Sequence, residues 1–192
     1  SSVIETMIMA VIISMVIIWL FFGDLKASLI VGSSIPVSIL ASLILMQLMG
    51  FSLNVITLSA LVLGVGMMVD NSTVVLESCF RATDDTGFRE FSKAALNGTG
   101  VVYQSVIGST LTTCVVFLPL AMLGGMTGMM FRPLGFTIVF CMTASLISAI
   151  TVVPLCYMIY KPIEKKTAPL SRPVEKMQEA YRTIMRSLLK KR

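Results

Sequence analysis

The sequence predicts an all-α polytopic membrane protein, with five transmembrane helices and a C-terminal amphipathic helix on the membrane surface. Three observations carry that prediction. Of 192 residues, 56% are hydrophobic and only 13% charged, where a soluble domain carries about 25% charged residues. The apolar residues are gathered into runs longer than about 18 residues, the length that crosses a bilayer core. Most of the runs are separated by short turns, such as Gly23-Asp24-Leu25-Lys26 and Gly50-Phe51-Ser52.

The spans follow in order. The first covers about 3–22, the second 27–49, the third 53–80, the fourth 100–123 and the fifth 130–160. At about 1.5 Å per residue each reaches across roughly 30 Å, and the third and fifth are long enough to tilt or protrude. The connection over residues 81–99 is longer and polar, and Gly124 to Gly128 forms the last turn. Pro36, Pro119 and Pro154 lie within or near the ends of spans, as simple kinks or as hinges. The chain opens Ser-Ser-Val, with no Met and no basic segment before the first apolar run. That is not a signal peptide, and it reads as a piece of a longer protein.

Charge placement sets the expected orientation. All but one of the 15 Lys and Arg residues fall in the 23–26 turn, the 81–99 connection and the tail after Tyr160; Arg132 stands on the other side. The positive-inside rule puts the basic side in the cytoplasm and the first residues outside. Residues 161–192 form a linker and then, from Pro173, a basic amphipathic helix. In it Val174, Met177, Tyr181, Ile184, Met185, Leu188 and Leu189 recur at helical spacing among Arg182, Arg186, Lys190 and Lys191. Such a helix suits an anionic leaflet, so the net charge of +5 belongs to a membrane-adjacent segment rather than to a nucleic-acid surface.

Asp70 is the most informative residue. It sits mid-way along the apolar run 58–77, with no Lys or Arg deep in any span. An ionised carboxylate at that depth costs about 2.5–3.5 kcal/mol, so it is retained for proton or ion handling or is held protonated as a structural hydrogen-bond donor. On a helix, Gly66, Thr73 and Glu77 share its face, and Arg81 follows Glu77 by four residues as a clamp near the basic end. Gly64 and Gly66 admit a close neighbouring helix. Asn71 is adjacent but points about 100° away. The hydroxyls Ser105, Ser109, Thr110, Thr112, Thr113, Thr137, Thr143, Ser145, Ser148 and Thr151 are packing contacts or the border of a hydrated path. With no histidine, a proton relay must run through carboxylates and hydroxyls. Cys79, Cys114, Cys141 and Cys156 lack metal-ligand spacing and read as buried thiols. No metal, cofactor-binding or catalytic residue is expected, and Asp70 alone cannot form the dyad of an intramembrane aspartyl protease.

The segments 50–58 (Gly-Phe-Ser-Leu-Asn-Val-Ile-Thr-Leu) and 61–77 (Leu-Val-Leu-Gly-Val-Gly-Met-Met-Val-Asp-Asn-Ser-Thr-Val-Val-Leu-Glu) resemble the fourth transmembrane helix of RND transporters, in the AcrB-like hydrophobe/amphiphile efflux branch. The runs 21–30, Pro36-Val37-Ser38, 117–128, Pro154-Leu155-Cys156 and Lys161-Pro162 resemble the neighbouring parts of that membrane repeat in order. The resemblance implies helices two to six of the N-terminal repeat, in the inner membrane of a bacterium. It implies a proton-driven multidrug antiporter working as a homotrimer with an adaptor and an outer-membrane channel, with protons as the coupling ion and no cofactor. Its second repeat and porter domains lie outside this sequence. Asp70 and Asn71 stand where many members carry two adjacent acids, so the first is the expected proton acceptor and the second an amide neighbour. Two other readings remain: a SecDF-like or lipid-exporting relative, and a scaffold fragment inert on its own.

Overall fold

The computed structural model describes residues 2–86, 90–162, 181, 182 and 185. Five α-helices follow one another: α1 (Ser2–Phe22), α2 (Leu25–Leu48), α3 (Val55–Thr86), α4 (Phe91–Ala121) and α5 (Gly125–Tyr160). Four of them, α2 to α5, are long and apolar enough to cross a membrane. In α1, Ile8–Phe22 is an apolar stretch among the described residues. The basic amphipathic helix expected from Pro173 onward lies outside the described residues, apart from Tyr181, Arg182 and Met185.

Local chemistry fixes the turns. After α1, Gly23 takes φ 67°, a left-handed conformation that a side chain would resist, and its N–H bonds Trp19 O at 2.8 Å. Asp24 then caps α2, its carboxylate accepting from the Lys26 N–H at 3.0 Å. At the far end of α2, Gly50 has φ 73° and the Phe51 N–H bonds Met46 O at 2.9 Å, which turns the chain towards α3. A capping box opens α3: Asn54 Oδ1 accepts from the Thr57 N–H and Thr57 Oγ1 from the Asn54 N–H, both at 2.8 Å.

Three boundaries differ from the sequence expectation. The polar connection expected over 81–99 is largely helical, since α3 continues to Thr86 and α4 begins at Phe91. The reason is packing: Thr83 is buried against Tyr157, and Ala94 and Ala95 are fully buried, so polar sequence is drawn into helix by the neighbours it serves. Likewise α5 starts at Gly125 rather than near residue 130, exposing Met126, Met129 and Met130 along its first turns. The helices run unbroken through Pro36, Pro119, Pro133 and Pro154.

The bundle is built around α5, which packs against α2, α3 and α4. Half of its most apolar 18-residue window is buried, against 11% for α4, so α4 presents most of its surface outward. Towards the basic end, Phe22, Val31, Leu76, Phe80, Ala149, Val153 and Tyr157 belong to one apolar cluster. Phe80 stacks on Phe22 with centroids 5.2 Å apart and meets Tyr157 edge-on at 5.5 Å. Towards the opposite end, Ala60, Leu61, Met68, Ile138, Cys141 and Met142 form a second cluster. Between the two lies a polar layer, described below.

Close approach of α3 and α4 depends on Gly98. A methyl group there would lie 2.7 Å from Cys79 Cα and 2.8 Å from the Cys79 nitrogen, and Ser78 Oγ donates to Gly98 O at 2.8 Å. Because the obstacle is backbone, Gly98→Ala should force the helices apart and cost about 1–3 kcal/mol. Gly108, on the outward side of the same helix, has no atom within 4 Å of such a methyl. Gly108→Ala should therefore leave stability unchanged or raise it by up to about 1 kcal/mol. Thermal unfolding of the two variants in detergent checks this: only the Gly98 variant should melt lower.

Candidate functional site: a polar layer at mid-depth

On α3, the sequence Asp-Asn-Ser at 70–72 straddles the wall of the bundle. Successive residues of a helix are about 100° apart, so three in a row cannot all face inward. Asn71, 8% exposed, and Ser72, 2% exposed, point into the bundle, whereas Asp70 is exposed on its surface. The rotation of α3 is thus fixed by the two neutral residues, and the acid takes the outward place.

Asn71 is the hub of the layer. Its side-chain NH2 donates to Thr110 Oγ1 of α4 at 3.2 Å and to Ser145 Oγ of α5 at 3.4 Å. Ser145 sends its own proton across to Met68 O of α3 at 3.3 Å. One amide therefore ties three helices, and it does so because an NH2 group has two donors where an ionised carboxylate has none. Ser72 continues the layer towards α2. Ser34 Oγ spends its proton on Val31 O at 2.7 Å, so Ser72 is the donor across the 2.9 Å gap to Ser34 Oγ. Ser148 of α5 then donates to Ser34 O at 3.3 Å. Among the described residues, no buried side-chain nitrogen or oxygen is left without a partner.

Other expected site residues fall on both sides of this division. Gly64 meets Cys141 of α5, whose Cβ would be 3.1 Å from an added methyl, so it serves close packing as expected. Gly66 is exposed on the Asp70 side, with no atom of the described residues within 4 Å of an added methyl. Thr73 is half-buried and donates to Val69 O at 2.7 Å, a bond within its own helix. Glu77 and Arg81 do pair, at 2.5 Å, with side chains 48% and 77% exposed.

The hydroxyls separate in the same way. Thr112, Thr113, Thr143 and Thr151 bond carbonyls of their own helices, while Thr110, Ser145 and Ser148 reach across between helices. Ser34 and Ser72 carry the layer equally and were not singled out by the sequence reading. The usable signal was the run Ser34, Ser38, Ser42, three small residues at four-residue spacing and all buried. Tyr157 was also missed: its hydroxyl lies 2.6 Å from Thr83 Oγ1 and bonds Cys79 O at 3.3 Å, which closes the basic end.

Asp70 has no ion pair among the described residues, where the pairs formed are Glu77–Arg81 and Glu90–Lys93. Asp70 thus lies exposed at the level of the buried polar layer.

Comparison with known proteins fits this geometry. All 192 residues match the model of the AcrB/AcrD/AcrF family. Swarming motility protein SwrC of Bacillus subtilis is 40% identical over 158 residues, 80% of this chain and 15% of that protein. Toluene efflux pump membrane transporter TtgE of Pseudomonas putida is 34% identical over 164 residues, 85% of this chain and 16% of that protein. Multidrug resistance protein MdtC of Salmonella schwarzengrund is 33% identical over 190 residues, 96% of this chain and 18% of that protein. The chain thus spans less than a fifth of the length of these relatives. With its bundle of long apolar helices, the chain belongs to the AcrB/AcrD/AcrF family, as a multi-pass membrane segment.

Proposed function

We propose that this chain is the proton-handling half of the membrane domain of an efflux transporter, with Asp70 as the residue that gains and loses the proton. The observation that carries the reading is the split at 70–71: a neutral amide is locked inside the bundle while the acid beside it faces out at mid-depth. A carboxyl placed there changes the charge of a contact surface each time it titrates. Ionised, it draws in a cation or water; neutral, it releases them and lets helices repack. The basic end is read as cytoplasmic, by the placement of Lys and Arg. A proton reaching mid-depth from outside crosses about half the field, collecting roughly 1.2 kcal/mol per 100 mV of membrane potential.

The exposed faces of α3 and α4 are read as the seat of the second membrane repeat, which would bring the cation for Asp70. Porter domains, a homotrimer and, in a two-membrane envelope, an adaptor and outer channel complete the proposed machine. Amphiphilic or solvent-like cargo is suggested by relatives named for toluene efflux and multidrug resistance. A transporter of this kind converts ion movement into shape change, so no enzymatic step is assigned to it.

Two substitutions in the full-length transporter test the division of labour. Asp70→Asn should abolish export, to the level of cells lacking the gene, with normal amounts of protein in the membrane. Export resistant to that substitution would overturn the assignment. Asn71→Leu keeps the bulk but deletes two interhelical donors, at about 0.6 kcal/mol each in membrane proteins. It should lower stability by about 1 kcal/mol, read as an earlier thermal unfolding midpoint; an unchanged midpoint would show that the amide does not tie the layer.

A further inference from the structure

Three serines meet in the interior of the bundle at the level of Asp70: Ser34 of α2, Ser72 of α3 and Ser148 of α5, exposed by 1%, 2% and 3%. The described helices themselves enclose them, so their arrangement does not depend on what covers the outer surface. Ser72 donates to Ser34 Oγ across 2.9 Å, which joins α3 directly to α2. Ser148 donates to the Ser34 carbonyl at 3.3 Å, and Ser38 Oγ donates to the same carbonyl at 2.8 Å. Ser34 is therefore held by its hydroxyl and by its carbonyl at once.

Helix geometry ties this cluster to the acid. At about 100° per residue, Ser72 stands about 200° round α3 from Asp70, close to the opposite side, with Asn71 between them. Asn71 fixes α3 to α4 and α5, and Ser72 fixes it to α2. One fixed point lets a helix pivot about it; a second, about 100° round the axis and on a different neighbour, stops the pivot. Side chains reach about 5–6 Å from the axis, so a turn of only about 10° carries a carboxyl about 1 Å. A misplacement of that size costs a positioned group about 100-fold in rate. We propose that Ser34, Ser72 and Ser148 are positioning residues for Asp70, setting the angle of α3 and through it the place where the acid takes up and returns its proton. The inference rests on the reading of Asp70 as the proton acceptor.

The backbone of α2 shows why its anchor needs this bracing. Pro36 has no N–H, so the helix lacks the rung that residue 36 would give to the Gly32 carbonyl. Ser34 lies inside that weakened turn, and the bonds from Ser38 and Ser148 converge on its carbonyl. A firm Ser34 is what a fixed Ser72 requires. Ser42 supplies an internal comparison: it is fully buried on the same helix, about two turns away, but spends its proton on Ser38 O at 2.7 Å, within α2. It matches Ser34 in residue type, helix and burial, and its donated bond does not reach α3.

The test compares alanine variants of the full-length transporter reconstituted in lipid, by acid-minus-alkaline infrared difference spectra and by export of ethidium. Ser72→Ala and Ser34→Ala should each move the frequency of the carboxyl C=O band that Asp70→Asn abolishes, because that frequency follows the hydrogen bonds the carboxyl makes. Each should lower export by up to about 100-fold. The double variant should lose no more than the worse single one, since both remove the same bond. Ser148→Ala should act in the same direction and less, and Ser42→Ala should keep the wild-type band and export. If Ser72→Ala does not accumulate in the membrane, Ser34→Ala and Ser148→Ala carry the test from α2 and α5. An Asp70 band that stays in place in Ser34→Ala and Ser72→Ala would overturn the inference, even with an earlier thermal unfolding midpoint, since the bonds would then serve packing alone. An equal band shift in Ser42→Ala would overturn it too, in favour of general loosening. Export surviving Asp70→Asn would instead remove the reading on which the inference depends.

Discussion

The amide of Asn71 is the interaction on which the arrangement turns. It reaches Thr110 on α4 and Ser145 on α5 from the middle of α3, and so sets the rotation of α3 about its own axis. Lipid offers little hydrophobic incentive for one helix face over another, since its tails are as apolar as the core. A few hydrogen bonds and close contacts must then do what burial does in a soluble protein. Once Asn71 and Ser72 are turned inward, Asp70 has nowhere to go but out.

That constraint explains the division of the bundle into two apolar clusters with a polar layer between them. Each layer member is neutral, and each is satisfied by another helix. The layer consequently carries no group that titrates near neutral pH. A titratable group that also held the helices together would loosen the bundle at every protonation. On the proposed reading, separating the two tasks between adjacent residues would let the charge change while the scaffold keeps its shape.

Much of this was legible in the sequence, for identifiable reasons. Apolar runs and glycine-bearing turns gave the five helices and their order, because helix length is set by bilayer thickness and Gly23 and Gly50 take positive φ. Asp70 announced itself by its cost. Family membership was legible from motifs in order along the chain. The ends of α3, α4 and α5 were not, because Thr83, Ala94 and Ala95 sit in polar or neutral sequence and join helices only through partners distant in the chain. Nor was the facing of Gly66 and Asp70: an almost uniformly apolar helix has no polar side to mark, and only the tertiary bonds of Asn71 and Ser72 decide it. The Glu77–Arg81 pair was legible as a pair, but its exposure needed the structure.

The central claim is that Asp70 carries the proton at mid-depth while its neighbours stay neutral. Infrared difference spectra of the reconstituted full-length transporter, taken between acid and alkaline pH, test it most directly. The account predicts a protonated-carboxyl C=O band that appears on acidification, shifts when the solvent is exchanged for D2O, and vanishes in Asp70→Asn. A difference spectrum in Asp70→Asn that retains every carboxyl band of the wild type would contradict it.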